Sequence, residues 1–140
     1  MKSNLSEHFT YRELTHSSTA EANNITNIPD AHQLANLIRL CETVLEPVRI
    51  EFNEQIFVSS GFRNPILNRL VGGANNSYHQ YGLAVDIKSS NNKRLFNLIK
   101  RMMEEGKISV DQLIDERNLS WIHIGIKENE DENRNQILKL

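Results

Sequence analysis

The chain carries a single cysteine, Cys41, in 140 residues. An internal disulfide is therefore impossible, and a metal site built from several thiolates is excluded with it. Cys41 falls in an apolar helical pattern, where a free thiol packs as a small, inert hydrophobe. Long apolar runs are also missing. Nothing approaches the ~20 consecutive apolar residues of a membrane span, so no membrane insertion is expected. The opening Met1-Lys2-Ser3-Asn4-Leu5-Ser6-Glu7 lacks the apolar stretch of a signal peptide. This predicts a chain made in the cytoplasm, reaching any external target only after release. Neither sign of charge dominates: 16 Lys and Arg face 18 Asp and Glu. That balance gives no footprint for nucleic acid. Repeats and low-complexity linkers are absent, and the length suits one domain, residues 1–140, expected to act as a monomer.

What is present reads as helices and short strands. Pro29-Asp30 opens an amphipathic helix through about Phe52, with Leu34, Leu37, Ile38, Cys41, Val44, Leu45 and Val48 at helical spacing. Pro47 should kink or divide it. Gln55 to Ser59 is a first strand, and Pro65 to Val71 a short helix ending at Gly72-Gly73. Asn91 to Glu105 is a second amphipathic helix, with Leu95, Leu98, Ile99 and Met102 inward and Gly106 as its stop. Leu83 to Ile87, Leu113 to Glu116 and Trp121 to Ile126 have strand composition, and the charged stretch Lys127 to Asn135 reads as a mobile segment. The class is α+β: helices packed around a small, mainly antiparallel sheet.

The chemistry concentrates in two places. Ser77-Tyr78-His79-Gln80-Tyr81-Gly82-Leu83-Ala84-Val85-Asp86 sets a histidine and an aspartate either side of a tight turn, and Trp121-Ile122-His123-Ile124-Gly125-Ile126 carries a second histidine. Alternate residues of a strand share a face. Ile122, Ile124 and Ile126 therefore point to a core while Trp121, His123 and Gly125 point away from it, with Gly125 leaving space beside the imidazole. Asp86 is a charge on an otherwise apolar strand and needs a partner or a cation. Singly, each residue has an ordinary use, the histidine as a hydrogen-bonded strand residue and the aspartate as a turn former or helix cap. Jointly, two imidazoles and a carboxylate are a complete protein ligand set for a catalytic zinc ion, and they suit other divalent ions as well.

The pattern Ser77-x-His79-x-x-Gly82-x-Ala84-x-Asp86 resembles the signature of the M15 peptidases, zinc D-alanyl-D-alanine carboxypeptidases and peptidoglycan endopeptidases, in particular their small phage-type branch. Further segments are similar in the same order: Phe9 to Ala20 at the opening, Val58-Ser59-Ser60-Gly61-Phe62-Arg63-Asn64-Pro65 with Leu67-Asn68-Arg69 and Val71-Gly72-Gly73 in the cleft region, then Asp111 to Glu116, Trp121-Ile122-His123 and Asn133 to Leu138. The resemblance implies a DD-peptidase/hedgehog-like zinc fold in which His79, Asp86 and His123 hold one Zn²⁺. Arg63 looks like the family's cationic cleft residue, stabilising an oxyanion or gripping a substrate carboxylate.

One position departs from many relatives. They place a carboxylate three residues before the last zinc histidine, where this chain has Ser120. The phage-type branch instead has a glutamate ending the preceding strand, which matches Glu116. If the hairpin loop is even-numbered, such as Arg117 to Ser120, Glu116 shares the face of His123; an odd loop substitutes Asp115. Ser77 orients a ligand or caps the turn, while Tyr78, Tyr81 and Trp121 are candidates for contact with the ligands or substrate. His16 reads as structural or supporting, and His8 and His32 as solvated. The function implied is hydrolysis of peptide bonds in bacterial peptidoglycan stem peptides, of carboxypeptidase or endopeptidase type, in a phage or prophage lysin. Rival readings are a zinc-binding cell-wall recognition module without catalysis and a structural virion protein.

Overall fold

The computed structural model describes residues 4–140. The elements run α1 (Tyr11–Thr15), α2 (Ser18–Ala22), α3 (Ala31–Leu40), α4 (Glu46–Phe52), β1 (Phe57–Ser60), α5 (Pro65–Leu70), β2 (Ala84–Lys88), α6 (Asn92–Glu104), β3 (Gln112–Glu116), β4 (Trp121–Gly125) and β5 (Gln136–Lys139). The strands form one sheet in the order β1-β2-β4-β3-β5. All pairings are antiparallel except β3 with β5. The fold is α+β, as the periodicities predict.

One face of the sheet makes the core. Val85 and Ile87 of β2, Leu113 of β3, and Ile122 and Ile124 of β4 pack against Leu37, Leu40, Val44, Leu45, Val48 and Phe52 from the long helical segment and Leu95, Ile99 and Met102 from α6. Burying a side chain of this size contributes about 1.5–3 kcal/mol, so this layer is the main source of stability. Cys41 lies within it, fully buried. Burial and the nearby Glu46, Glu13 and Glu42 carboxylates push its thiol up to about 12, which makes it inert as a nucleophile.

The long helix starts where expected. Asp30 accepts a hydrogen bond from the Gln33 amide, and the Gln33 side-chain carbonyl accepts one from the Asp30 amide. Its division takes a specific form: Cys41–Leu45 is a π-helical turn joining α3 to α4, with the Glu46 amide bonded to the Cys41 carbonyl. Pro47 then sits in the first turn of α4, where its missing N–H leaves less of the helical ladder broken. The strand expected over Gln55 to Ser59 runs from Phe57 to Ser60, and a bulge between Val58 and Ser60 shifts its register against β2.

The segment 127–135 contains a single 3₁₀ turn, Glu130–Glu132. Asn133 accepts the Lys127 amide, and Asn135 receives the Val110 amide on its side chain. The chain then enters β5 alongside β3. No helix among the described residues is long and apolar enough to cross a membrane.

Gly82 closes the 3₁₀ turn Tyr78–Tyr81 in the left-handed region, at φ +73°, and a Cβ there would stand 2.3 Å from the Gln33 carbonyl oxygen of α3. Gly72 has a similar φ of +77° with open space around it. Gly72→Ala should therefore lose only about 1 kcal/mol of conformational preference, whereas Gly82→Ala adds a backbone collision and should lose more than about 2 kcal/mol. Urea denaturation of the two variants checks the order; equal losses would mean that the close approach to α3 carries no weight.

Candidate metal centre

The face of the sheet opposite the core carries the chemistry. In the β2–β4 ladder Asp86 lies directly across from His123, and Val85 and Ile87 lie across from Ile124 and Ile122. Paired residues point to the same side, so the register that seals the core also sets the carboxylate against the imidazole. His123 Nδ1 is 2.9 Å from Asp86 Oδ1, and His79 Nε2 is 3.4 Å from Asp86 Oδ2. The two rings meet edge to face with centroids 5.2 Å apart.

His79 arrives from outside the sheet. Its loop is fastened to α3, where the Gln33 side chain donates to the Gln80 carbonyl and the Asn36 side chain to the Tyr81 carbonyl. Ser77 Oγ accepts the His79 amide and caps the turn. The buried ring donates from Nδ1 to the Gly61 carbonyl at 2.7 Å. A carbonyl only accepts, so Nδ1 carries a proton, and Nε2 is the ring atom that faces Asp86. Gly61 is itself wedged in place: a Cβ on it would lie 2.2 Å from the Leu14 carbonyl oxygen, which already accepts the Phe62 amide. Here the opening segment, through α1, supports the ring that faces the site.

Three donor atoms, one each from His79, Asp86 and His123, lie within 4.8 Å of one another. Two ligands about 2.05 Å from one tetrahedral zinc stand about 3.3 Å apart. The 3.4 Å separation of His79 Nε2 from Asp86 Oδ2 fits that spacing directly. The Asp86–His123 hydrogen bond is slightly shorter, as expected where a proton holds the two groups together. Burial alone would raise the Asp86 carboxyl, but hydrogen bonds from His123 and His79 overcome it and hold Asp86 well below the usual carboxylate range. The donor set fits zinc. A second cluster of possible ligands, Glu7, His8 and Glu46, lies at the surface. There His8 pairs with Glu46, while His32 pairs with Glu128, so both expected-solvated histidines are exposed but partnered.

Around the triad, the four-residue loop 117–120 gives the even hairpin. Glu116 pairs with Trp121 and Ile114 with His123, placing Glu116 and Trp121 on the metal face. Asp115 pairs with Ile122 on the other face, and its carboxylate accepts the Leu119 amide. Ser120 turns away, its hydroxyl donating to the Arg117 carbonyl. Arg63 holds the same loop as His79, its amide bonding the His79 carbonyl. Burial pulls the Arg63 guanidinium below its usual value against the attraction of Asp86, and its buried Nε has no protein partner. His16 and Arg63 line a cleft of about 480 Å³ that contains none of the three ligands and reaches toward them through Ser60, which pairs with Asp86.

Two residues near the centre, Asp111 and Arg134, were given no role by their local sequence. Tyr78 lies over Gly125, where a Cβ would come within 3.1 Å of its ring and 3.6 Å of His123 Nε2. Its hydroxyl donates to Asp111, whose carboxylate is buried and clamped by Arg134 Nε and Nη2, each at 2.9 Å. Asp111 and Arg134 thus join β5 to the loop of His79. Their only local signal is opposite charge, since the contact spans 23 positions.

Residues 7–125 match the profile of the family described as Peptidase M15, and the chain belongs to that family. No curated protein matches the chain.

Zinc bound only by the folded state should raise stability by about 2.7 kcal/mol at a hundredfold excess over Kd. Differential scanning calorimetry should show that shift in the wild type and lose it in Asp86→Ala; an equal shift in both would place the zinc elsewhere. The metal-free protein should also be acid-sensitive. Because the folded Asp86 carboxyl lies below its unfolded value, its contribution is present above about pH 4 and is lost as pH falls through the folded value. A pH series of urea midpoints should show a weaker acid slope in Asp86→Asn.

Proposed function

We propose that this M15 family member is a zinc-dependent peptidase of bacterial peptidoglycan stem peptides, of carboxypeptidase or endopeptidase type, serving as a phage or prophage lysin. The observation that carries the reading is the converged triad of His79, Asp86 and His123, with His79 oriented by the Gly61 carbonyl. Zinc held there supplies Lewis acidity to a scissile carbonyl and acidifies water toward neutrality. The rest of the chemistry falls to the chain. Glu116, on the face of His123, takes a proton from the attacking water and returns it to the leaving amine. Arg63, with its buried Nε unpartnered, donates to the developing oxyanion or to a substrate carboxylate. Tyr78 and Trp121 flank His123 on that face and limit the approach of substrate.

The absence of a carboxylate at Ser120 favours the rival of a zinc-binding wall module without catalysis. Against it stands the hairpin register, which supplies Glu116 to the same face.

Incubation with defined stem peptides, read by mass spectrometry, should show cleavage that chelator abolishes and zinc restores, and product masses identify the bond. Glu116→Gln should retain stoichiometric zinc and lose about 10²–10⁴ in kcat. Full activity in that variant would remove Glu116 as the base, and zinc binding without cleavage in the wild type would select the recognition module.

A further inference from the structure

The cleft on which Arg63 opens contains more than one cation. Arg12 of α1 and Arg63 both line it, with hydroxyls from α2 and β1 and an apolar patch from Val58, Phe62 and Val71. The Arg12 side chain has no carboxylate partner among the described residues. The acids of α1 and α2 are each hydrogen-bonded elsewhere through one oxygen. Glu13 lines the cleft, yet its Oε1 accepts both the amide and the hydroxyl of Thr10, 3.0 and 3.1 Å away. Glu21 is paired with His16 at 2.6 Å. The attraction of Arg63 is to Asp86, a carboxylate that a bound metal would claim. Two guanidiniums therefore open on one cleft that holds a single carboxylate, Glu13, and one of them has a buried nitrogen without an acceptor. Guanidinium is a fork that matches carboxylate geometry, and a desolvated one gains most from an anionic partner.

We propose that Arg12 forms a second carboxylate subsite, so that the preferred peptide presents a free carboxylate in addition to the group held at Arg63. This rests on the peptidase reading of the metal centre and specifies its substrate class. A stem peptide offers such a group as the α-carboxylate of a glutamate linked through its side chain, and amidation of that carboxylate abolishes the charge while keeping the shape. Arg12 thereby discriminates free-acid from amidated stems. The hydroxyl-lined walls supply hydrogen bonds to peptide groups, and the apolar patch accepts small side chains.

The test uses two synthetic pentapeptides, alanyl-γ-D-glutamyl-lysyl-D-alanyl-D-alanine with the glutamyl α-carboxylate free or amidated. Binding is measured by calorimetry to the zinc-loaded Glu116→Gln protein, with and without Arg12→Gln, and cleavage of both peptides is followed in the presence of Glu116. The free acid should bind about tenfold more tightly than the amide. Arg12→Gln should bring that ratio close to one without changing zinc content, and Arg12→Lys should restore part of it. The preference should weaken as salt is raised. Equal binding of the two peptides, a ratio that survives Arg12→Gln, or no binding of either would overturn the subsite. Acid-selective binding that depends on Arg12 but leads to no cleavage would uphold the subsite and overturn the peptidase reading. Cleavage without acid preference would do the reverse.

Discussion

The antiparallel register between β2 and β4 is the constraint on which the rest of the molecule depends. Val85 against Ile124 and Ile87 against Ile122 bury one face, and the same ladder places Asp86 against His123 on the other. A slip of one residue would turn the charged pair into the core and the isoleucines to solvent, losing several kcal/mol on each side of the sheet. The hydrophobic layer thus works as a register lock for the polar one. The helices behind the sheet supply no ligand, but without their packing the two ligands would not be opposite each other.

The third ligand depends on backbone proximity more than on apolar burial. His79 is held by a 3₁₀ turn that approaches α3 closely at Gly82 and by a carbonyl from Gly61, which is packed against the end of α1. Both contacts require glycine, because any side chain would collide with a main-chain oxygen. Asp111, bridging Tyr78 and Arg134, adds a brace from the opposite side of the loop. Burial alone would raise the Asp111 carboxyl, and the Arg134 and Tyr78 bonds outweigh it. The loop is therefore gripped from three directions by groups that differ in kind: side-chain amides of α3, a main-chain carbonyl, and an ion pair.

Much of this was legible in the chain itself where the signal is local. The amphipathic periods of the long helix and of α6 gave their inward faces, and the alternation of Trp121 to Ile126 separated His123 from the core isoleucines. Loop parity narrowed the choice to Glu116 or Asp115, and the four-residue loop seen in the structure puts Glu116 on the face of His123. What stayed hidden is non-local. A π turn at Cys41–Leu45 has the composition of any helix, and only the mismatch created by Pro47 hints at it. The parallel strand β5 is four residues long and follows a charged stretch, so no period distinguishes it. Its pairing comes from β3, and the Asp111–Arg134 contact beside it comes from folding. Arg12 reads as an ordinary exposed arginine until α1 is seen to form a wall of the cleft.

The three ligands come from a loop and from two strands separated by the whole of α6, so no contiguous stretch of chain presents more than two of them. A cation meeting the unfolded polypeptide finds no preorganised cage, and coordination cannot act as a nucleus for folding in the manner of a small zinc finger. Capture of an ion there would follow the docking of β4 onto β2, which would make metallation a late step of maturation. Release of such an ion would in turn require local opening of the loop or the hairpin, so its lifetime would depend on the stability of the loop's fastenings as well as on coordination.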